Sequence, residues 1–138
     1  MNSYTLYLEP PSRMFKAAAV TAATMLLLDA VWLTFRKSYH ESLIKSVQGS
    51  SVTLRIIPAL LVYILVPLAV AYFAVIPSKS LKESLINGGL FGFSSYALYD
   101  LTNLATLKGW TTEMAIIDTT WGTLLCAASA AAAYFVSK

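Results

Sequence analysis

The sequence IIPALLVYILVPLAVAYFAVI, at residues 56–76, decides the fold. It runs for 21 residues without a charged side chain, and about 20 apolar residues in a helix cross the ~30 Å hydrocarbon core of a bilayer. Pro58 suits the first turn of such a helix. Pro67 predicts a kink, because its ring removes a backbone hydrogen bond, and Pro77 predicts the end. The stretch therefore predicts a transmembrane helix.

The composition of the whole chain agrees with a lipid environment. Of the 138 residues 57% are hydrophobic and only 12% are charged, whereas soluble domains carry about 25% charged residues. The net charge of +3 comes from Lys and Arg residues that are spread singly and form no basic patch. We therefore expect the bilayer as the main partner and no nucleic acid, in a bacterial inner membrane or an organelle membrane.

Three further segments predict membrane-spanning helices, at residues 14–35, 81–107 and 112–136. Ser80 and Glu83 form the pattern of an N-terminal capping box for the third helix, and Thr111 or Thr112 suits the N-cap of the fourth. Residues 1–138 are thus expected to form a single transmembrane domain. Its predicted fold is all-α, an integral membrane four-helix up-down bundle.

The connection at residues 36–55 has two interpretations. Tyr39, Leu43, Ile44 and Val47 share one face at helical spacing, which favours a short interfacial helix between spans 1 and 2 that ends near Gly49. A plain loop is the alternative. The orientation of the bundle stays undecided, since five Lys and Arg residues fall on each side of the membrane.

The segment YALYDLTNLATLKGW, at residues 96–110, places polar groups inside the third predicted span. It contains Tyr96, Tyr99, Asp100 and Asn103. An ionisable group in a membrane span is unfavourable and is a candidate functional residue by default. The segment therefore indicates an intramembrane polar site.

Two more aspartates are predicted to reach the same depth. Asp29 and Asp118, like Asp100, lie roughly 10–12 Å from the end of their helices on the side of the first and third loops. Asp29 and Asp118 each begin an Asp-x-x-Trp pattern, with Trp32 and Trp121, which hints at an inverted repeat. Such a three-aspartate cluster would hold a proton, recruit a cation or bind a small polar ligand. The alternative is that these aspartates only lock the helices together.

The remaining candidates concern packing and cofactors. Gly88 and Gly92 form a GxxxG pattern that permits close helix contact, and Gly122 is assigned the same packing role. Arg36 lies on the same face as Asp29 and would extend toward the site or stay at the interface, while Trp110 fits an aromatic belt at the membrane surface. With one Cys and one His in the chain, we predict no metal site and no cofactor.

These motifs resemble a family of small four-span integral membrane proteins of unknown function. The resemblance rests on DAVWL at residues 29–33, FAVIP at 73–77, the segment 96–110, and the Asp118-x-x-Trp121-Gly122 pattern. It covers about 90 residues in matching order. It implies a single-domain membrane protein and no particular activity.

Three functions remain open from the sequence. The first is a module that binds or translocates a proton, a cation or a small polar ligand at the aspartates. The second is an accessory subunit that packs on a second copy of the chain or on a larger membrane complex. The third is a small membrane enzyme acting on a lipophilic substrate, although no nucleotide loop or nucleophile motif supports it.

Overall fold

Four long helices account for most of residues 10–138, the part of the chain that this computed structural model describes. Residues 1–9 of the predicted domain lie outside the described part. The helices are α1 (Pro11–Gln48), α2 (Ile56–Val70), α3 (Leu81–Thr106) and α4 (Thr112–Ser137), and a π-helical segment, Ala71–Val75, continues α2. This confirms the predicted all-helical class. The π-helical segment begins four residues after Pro67, where the sequence predicts a kink.

The predicted separate interfacial helix, and its alternative, a loop, are both wrong for residues 36–48. α1 is one helix of 38 residues. No Gly or Pro occurs after Pro11 until Gly49, so nothing in the sequence interrupts the backbone hydrogen bonds. Gly49 ends the helix with φ of 78°, and its N–H donates to the Lys45 carbonyl at 2.9 Å.

The final turns of α1 pack against protein rather than lipid. Leu43 is buried together with Trp110 and Met114, which flank the connection between α3 and α4. The face predicted to lie on the membrane surface therefore packs against this connection. Residues 49–55 then run back beside α1 and leave a polar groove, lined by Ser38, Glu41, Ser42, Lys45, Ser51 and Val52.

The helix starts follow the capping signals in the sequence. Ser80 accepts a hydrogen bond from the Glu83 N–H at 3.1 Å, and the Glu83 carboxylate accepts from the Lys79 N–H at 2.7 Å. Thr111 caps α4 by accepting from the Met114 N–H at 3.0 Å. These bonds satisfy backbone donors that have no partner inside a helix.

α4 is the helix around which the others are arranged. It packs most extensively against α3 and also against α1, while α2 packs on α1 and its π-helical segment reaches α3. α1 and α4 run antiparallel, since Arg13 bonds to the Ser137 carbonyl at one end and Tyr39 to Thr111 at the other. The buried core that α1, α4 and the π-helical segment share consists largely of small residues, namely Ala17, Ala18, Ala71, Ala74, Cys126, Ala130 and Ala133.

Three of the helices between residues 10 and 138 are long and apolar enough to cross a membrane: Pro11–Gln48, Ile56–Val75 and Thr112–Ser137. α3, with 26 residues, is long enough but falls short in apolar character. Its polar and small residues face inward, since Ser84, Gly88, Gly92 and Asp100 are its buried residues. Its large apolar side chains are exposed instead, among them Leu90, Phe93, Leu98 and Leu101.

Candidate functional site

Asp29 is held by donors from two other helices. Tyr63 of α2 donates its hydroxyl to Oδ2 at 3.0 Å, and Trp121 of α4 donates its indole N–H to Oδ1 at 2.9 Å. Each carboxylate oxygen thus has a donor. Such hydrogen bonds to an ionised group are stronger than neutral ones, so Asp29 links α1, α2 and α4 at one level.

The two tryptophans of the Asp-x-x-Trp patterns meet face to face. The rings of Trp32 and Trp121 are parallel within 5°, and their centroids are 4.5 Å apart. Trp121 bonds to Asp29 on the neighbouring helix, while the Trp32 Nε1 atom is buried without an acceptor. The sequence placed acid and indole on one face of each helix, but the bond that forms crosses between helices.

Asp100 differs from Asp29 in that its carboxyl group lacks such donors. It is 0% exposed, and neither of its carboxyl oxygens has a hydrogen-bond partner among the described residues. The side chains that interact with it most directly are Asp118 of α4 and Trp110. Two carboxylates are both acceptors and cannot bond to each other unless one of them carries a proton.

Trp110 lies inside the protein, which contradicts the expected position in an aromatic belt. It is 7% exposed, and its indole nitrogen is buried without an acceptor at hydrogen-bond geometry. Tyr99 packs edge-on against it with centroids 5.8 Å apart. Trp110 therefore closes the end of the Asp100–Asp118 pair nearest the third loop.

Tyr96 lies between the Asp29 group and the Asp100–Asp118 pair. It interacts electrostatically with both Asp29 and Asp118, and its ring fills the space over Gly122, where a Cβ atom would collide with it. Asn103, one turn from Tyr99, interacts with the Tyr99 side chain. The structure thus arranges the predicted residues as two adjacent acid groups with Tyr96 between them.

The glycines allow this arrangement by bringing α3 and α4 together. A Cβ on Gly88 would lie 2.6 Å from the Ala130 Cβ, and one on Gly92 would collide with the Gly122 carbonyl oxygen. In both cases the added Cβ would be closer to its neighbour than van der Waals contact allows. This close approach of backbones places Asp100 of α3 beside Asp118 of α4.

Sequence reasoning missed Tyr63 as a partner of Asp29. A signal was present, because Tyr63 and Tyr72 are the only residues with polar side chains in the stretch 56–76. A lone hydroxyl in an apolar span needs an acceptor when it is buried. Tyr63 is partly buried and finds Asp29, whereas Tyr72 is 57% exposed.

Comparison with known proteins gives a family and no activity. The family described as "Predicted membrane protein (DUF2177)" matches residues 14–135, which include most of every helix. The searches of curated proteins and of solved structures found no match. Because the match covers most of the chain, the protein belongs to the predicted membrane protein family DUF2177.

Proposed function

We propose that this membrane protein binds a proton between the carboxyl groups of Asp100 and Asp118, as the centre of a binding or translocation module. The observation that carries this proposal is the state of Asp100, a fully buried side chain whose oxygens have no donor at hydrogen-bond geometry among the described residues. Asp118 interacts with it electrostatically. Two ionised carboxylates would repel each other there, whereas one shared proton turns them into a hydrogen-bonded pair.

A proton suits this pair better than a metal ion does. Mg²⁺ and Ca²⁺ take several oxygen ligands, and between residues 10 and 138 no group of three or more metal-ligating side chains comes together. Asp29 belongs to a separate group, in which its two oxygens accept from Tyr63 and Trp121. In place of the predicted three-aspartate site for a proton, a cation or a small polar ligand, we therefore propose a proton shared by two aspartates.

The surroundings of the pair offer a route for exchange. Tyr99 interacts with Asp100, Asp118 and Asn103 and is 55% exposed. Its hydroxyl can both donate and accept a hydrogen bond. A proton could therefore pass between the buried pair and the surface of α3 by way of Tyr99 and Asn103.

The same proposal includes the four-span up-down arrangement. α3 turns its buried polar residues toward α4 and its large apolar residues outward. A helix with polar groups inside and apolar groups outside is suited to lipid on its outer face. We therefore include α3 as the fourth span, although its average composition is more polar than that of the other three.

Infrared spectroscopy of the purified protein, compared between the wild type and variants, tests whether Asp100 and Asp118 share a proton. At neutral pH we expect the carbonyl stretch of a protonated carboxyl group in the wild type, and its loss in Asp100→Asn and in Asp118→Asn. Glu41→Gln, which removes an exposed carboxylate on α1, is the matched control and should keep the band. A wild-type spectrum with no such band, or a band that both aspartate variants keep, would contradict the proposal.

Proton flux in proteoliposomes tests translocation separately. An interior pH dye should report a proton leak or a coupled proton movement for the wild type and Glu41→Gln, and a clear reduction for Asp100→Asn. Equal flux for wild type and Asp100→Asn would exclude translocation through this pair. The infrared result would then show whether a proton-binding role remains.

A further inference from the structure

Two of the three guanidinium nitrogens of Arg36 on α1 lack a hydrogen-bond acceptor within the described chain. Its Nε and Nη2 atoms are both buried, and neither has a hydrogen-bond acceptor. A guanidinium stays charged at every pH that proteins encounter, and a buried charge without a counter-charge is strongly unfavourable. A ligand that brings acceptor oxygens and negative charge would complete this site.

Two aromatic rings hold the guanidinium in position. Its Cζ atom lies 4.2 Å from the ring centroid of Tyr39 and 5.9 Å from that of Trp32. Both rings are themselves fixed, since Tyr39 bonds to Thr111 at 2.7 Å and Trp32 stacks on Trp121. The ring faces stabilise the positive charge but offer no oxygen to the N–H groups, so these donors stay without an acceptor in the described part of the chain.

Trp32 contributes another donor beside Arg36. The two residues are four apart and therefore neighbours on one face of α1. The Trp32 Nε1 atom is also buried without an acceptor. All these unpaired atoms are N–H donors, which selects for an anion, and the planar guanidinium fork matches two oxygens of one phosphate.

The depth of Arg36 indicates where this anion comes from. Arg36 is seven residues beyond Asp29, about 10 Å along α1, and Lys37 follows it. Lys and Arg residues at such positions flank membrane spans, at the level where phospholipid phosphates lie. α1 continues to Gln48, so Arg36 marks the point at which the helix leaves the bilayer.

We propose that Arg36, fixed between Tyr39 and Trp32, binds a phosphate group at the membrane surface, with the phospholipid headgroup as its source. The site is separate from the Asp100–Asp118 pair and does not depend on the proton that we assign to that pair. On binding, Arg36 and Trp32 would turn these covered nitrogen atoms toward the surface, where the phosphate would accept from the guanidinium fork and the indole N–H. It would anchor α1 at a defined depth.

Thermal unfolding of delipidated protein in detergent tests this site. Wild-type protein is titrated with phosphatidylglycerol, with diacylglycerol of the same chains but without a phosphate, and with inorganic phosphate. We expect phosphatidylglycerol to raise the unfolding midpoint in a saturable way and diacylglycerol to leave it unchanged. Arg36→Gln should raise the half-saturating lipid concentration roughly tenfold, the loss expected for a bidentate charged contact.

Two further variants make the result specific. Arg55→Gln removes the same charge from an exposed arginine at the start of α2 and should respond as the wild type does. Arg36→Lys keeps the charge without the planar fork and should bind more weakly than the wild type. If Arg36→Gln does not fold, Arg36→Lys decides the question alone.

The outcomes separate the sources of phosphate. Full stabilisation by inorganic phosphate at the concentration at which the lipid acts would support a phosphate site and overturn the lipid headgroup as its source. An equal response to diacylglycerol and phosphatidylglycerol would overturn the site itself. An Arg36→Lys variant with the same half-saturating lipid concentration as the wild type would also overturn the site. A wild type whose unfolding midpoint responds to neither form of phosphate would overturn it as well.

Discussion

Asp29 and Asp100 are both aspartates within long apolar helices, but their carboxyl groups differ in what surrounds them. Asp29 has a donor on each oxygen, from Tyr63 and Trp121. Asp100 has none. A satisfied carboxylate mainly holds helices together, whereas an unsatisfied buried one costs free energy that only a ligand or a proton recovers. We therefore propose that Asp29 stabilises helix packing and that Asp100 binds the proton.

The hydrogen bond from Tyr63 gives a prediction for stability. Tyr63→Phe removes the donor to Asp29 Oδ2 and leaves the ring in place, so we expect a loss of about 1.5–3 kcal/mol, the usual contribution of a hydrogen bond to a charged group. Denaturant unfolding in detergent measures this. Tyr72→Phe is the control on the same helical rod, because Tyr72 is exposed, and it should change stability little. Equal losses in the two variants would argue against a special role for Tyr63.

At this scale, the sequence predicts which residues lie near one another but not which of them form hydrogen bonds with each other. Helical spacing correctly puts Asp29 and Trp32 on one face of α1, yet Asp29 takes its indole donor from Trp121 across the helix interface. The choice depends on how far α4 is shifted along α1. That shift is set by packing at the two helix ends, where Tyr39 meets Thr111 and Arg13 meets Ser137, and a single sequence carries no record of it.

At the scale of the helix, the glycines of α3 set its distance from α4. Gly92→Ala would drive a Cβ against the Gly122 carbonyl and to 2.8 Å from the Cys126 Cβ, and such overpacking typically costs about 1–3 kcal/mol. Gly89 is the matched control, since its nearest atom would be the Ala127 Cβ at 3.7 Å. Gly89→Ala should stabilise by roughly 0.5–1 kcal/mol, because Ala loses less entropy in a helix.

Opposite signs for these two variants in a thermal unfolding assay are the expected result. If Gly92→Ala is as stable as Gly89→Ala, then α3 and α4 are not held at the distance described. The GxxxG pattern predicts such contact from sequence alone. It does not say that α4 is the partner, which follows from the short connection at residues 107–111 and from the packing of Gly122 under Tyr96.

The extension of α1 was not predicted, although its cause is visible in the sequence. Residues 36–48 are polar enough to read as a loop or a surface helix, and the charge at Arg36 and Lys37 suggests the end of a span. Helix continuity follows a different rule, the absence of Gly and Pro before Gly49. The apolar face with Leu43 was correctly identified, but its partner, Trp110, lies more than 60 residues later in the chain.

At the scale of the whole molecule, large apolar side chains cover much of the outside, and several polar side chains are fully buried. Ile57, Leu65 and Leu98 are among the most exposed residues, whereas Thr21, Ser84 and Asp100 are fully buried. This inversion fits a protein dissolved in lipid, where buried polar groups must find partners inside. The accessory-subunit and enzyme hypotheses remain predictions from the sequence.

Cysteine labelling from each side of the membrane tests the proposed topology. The native Cys126 is buried and makes little background. Ser50→Cys and Lys108→Cys should react with a membrane-impermeant maleimide on one side, and Lys79→Cys on the other, because all three positions are exposed in connections between helices. Labelling of Lys79→Cys and Lys108→Cys from the same side would show that α3 does not cross.

The continuous α1 has a mechanical consequence. Its 38 residues extend about 57 Å at 1.5 Å per residue, so about 27 Å lies beyond a ~30 Å hydrocarbon core. Because no Gly or Pro interrupts it after Pro11, the helix is expected to move as one rigid unit. Since Leu43 packs on Trp110 and Met114, a rotation of this end would move the connection between α3 and α4 together with Asp29 and Trp32.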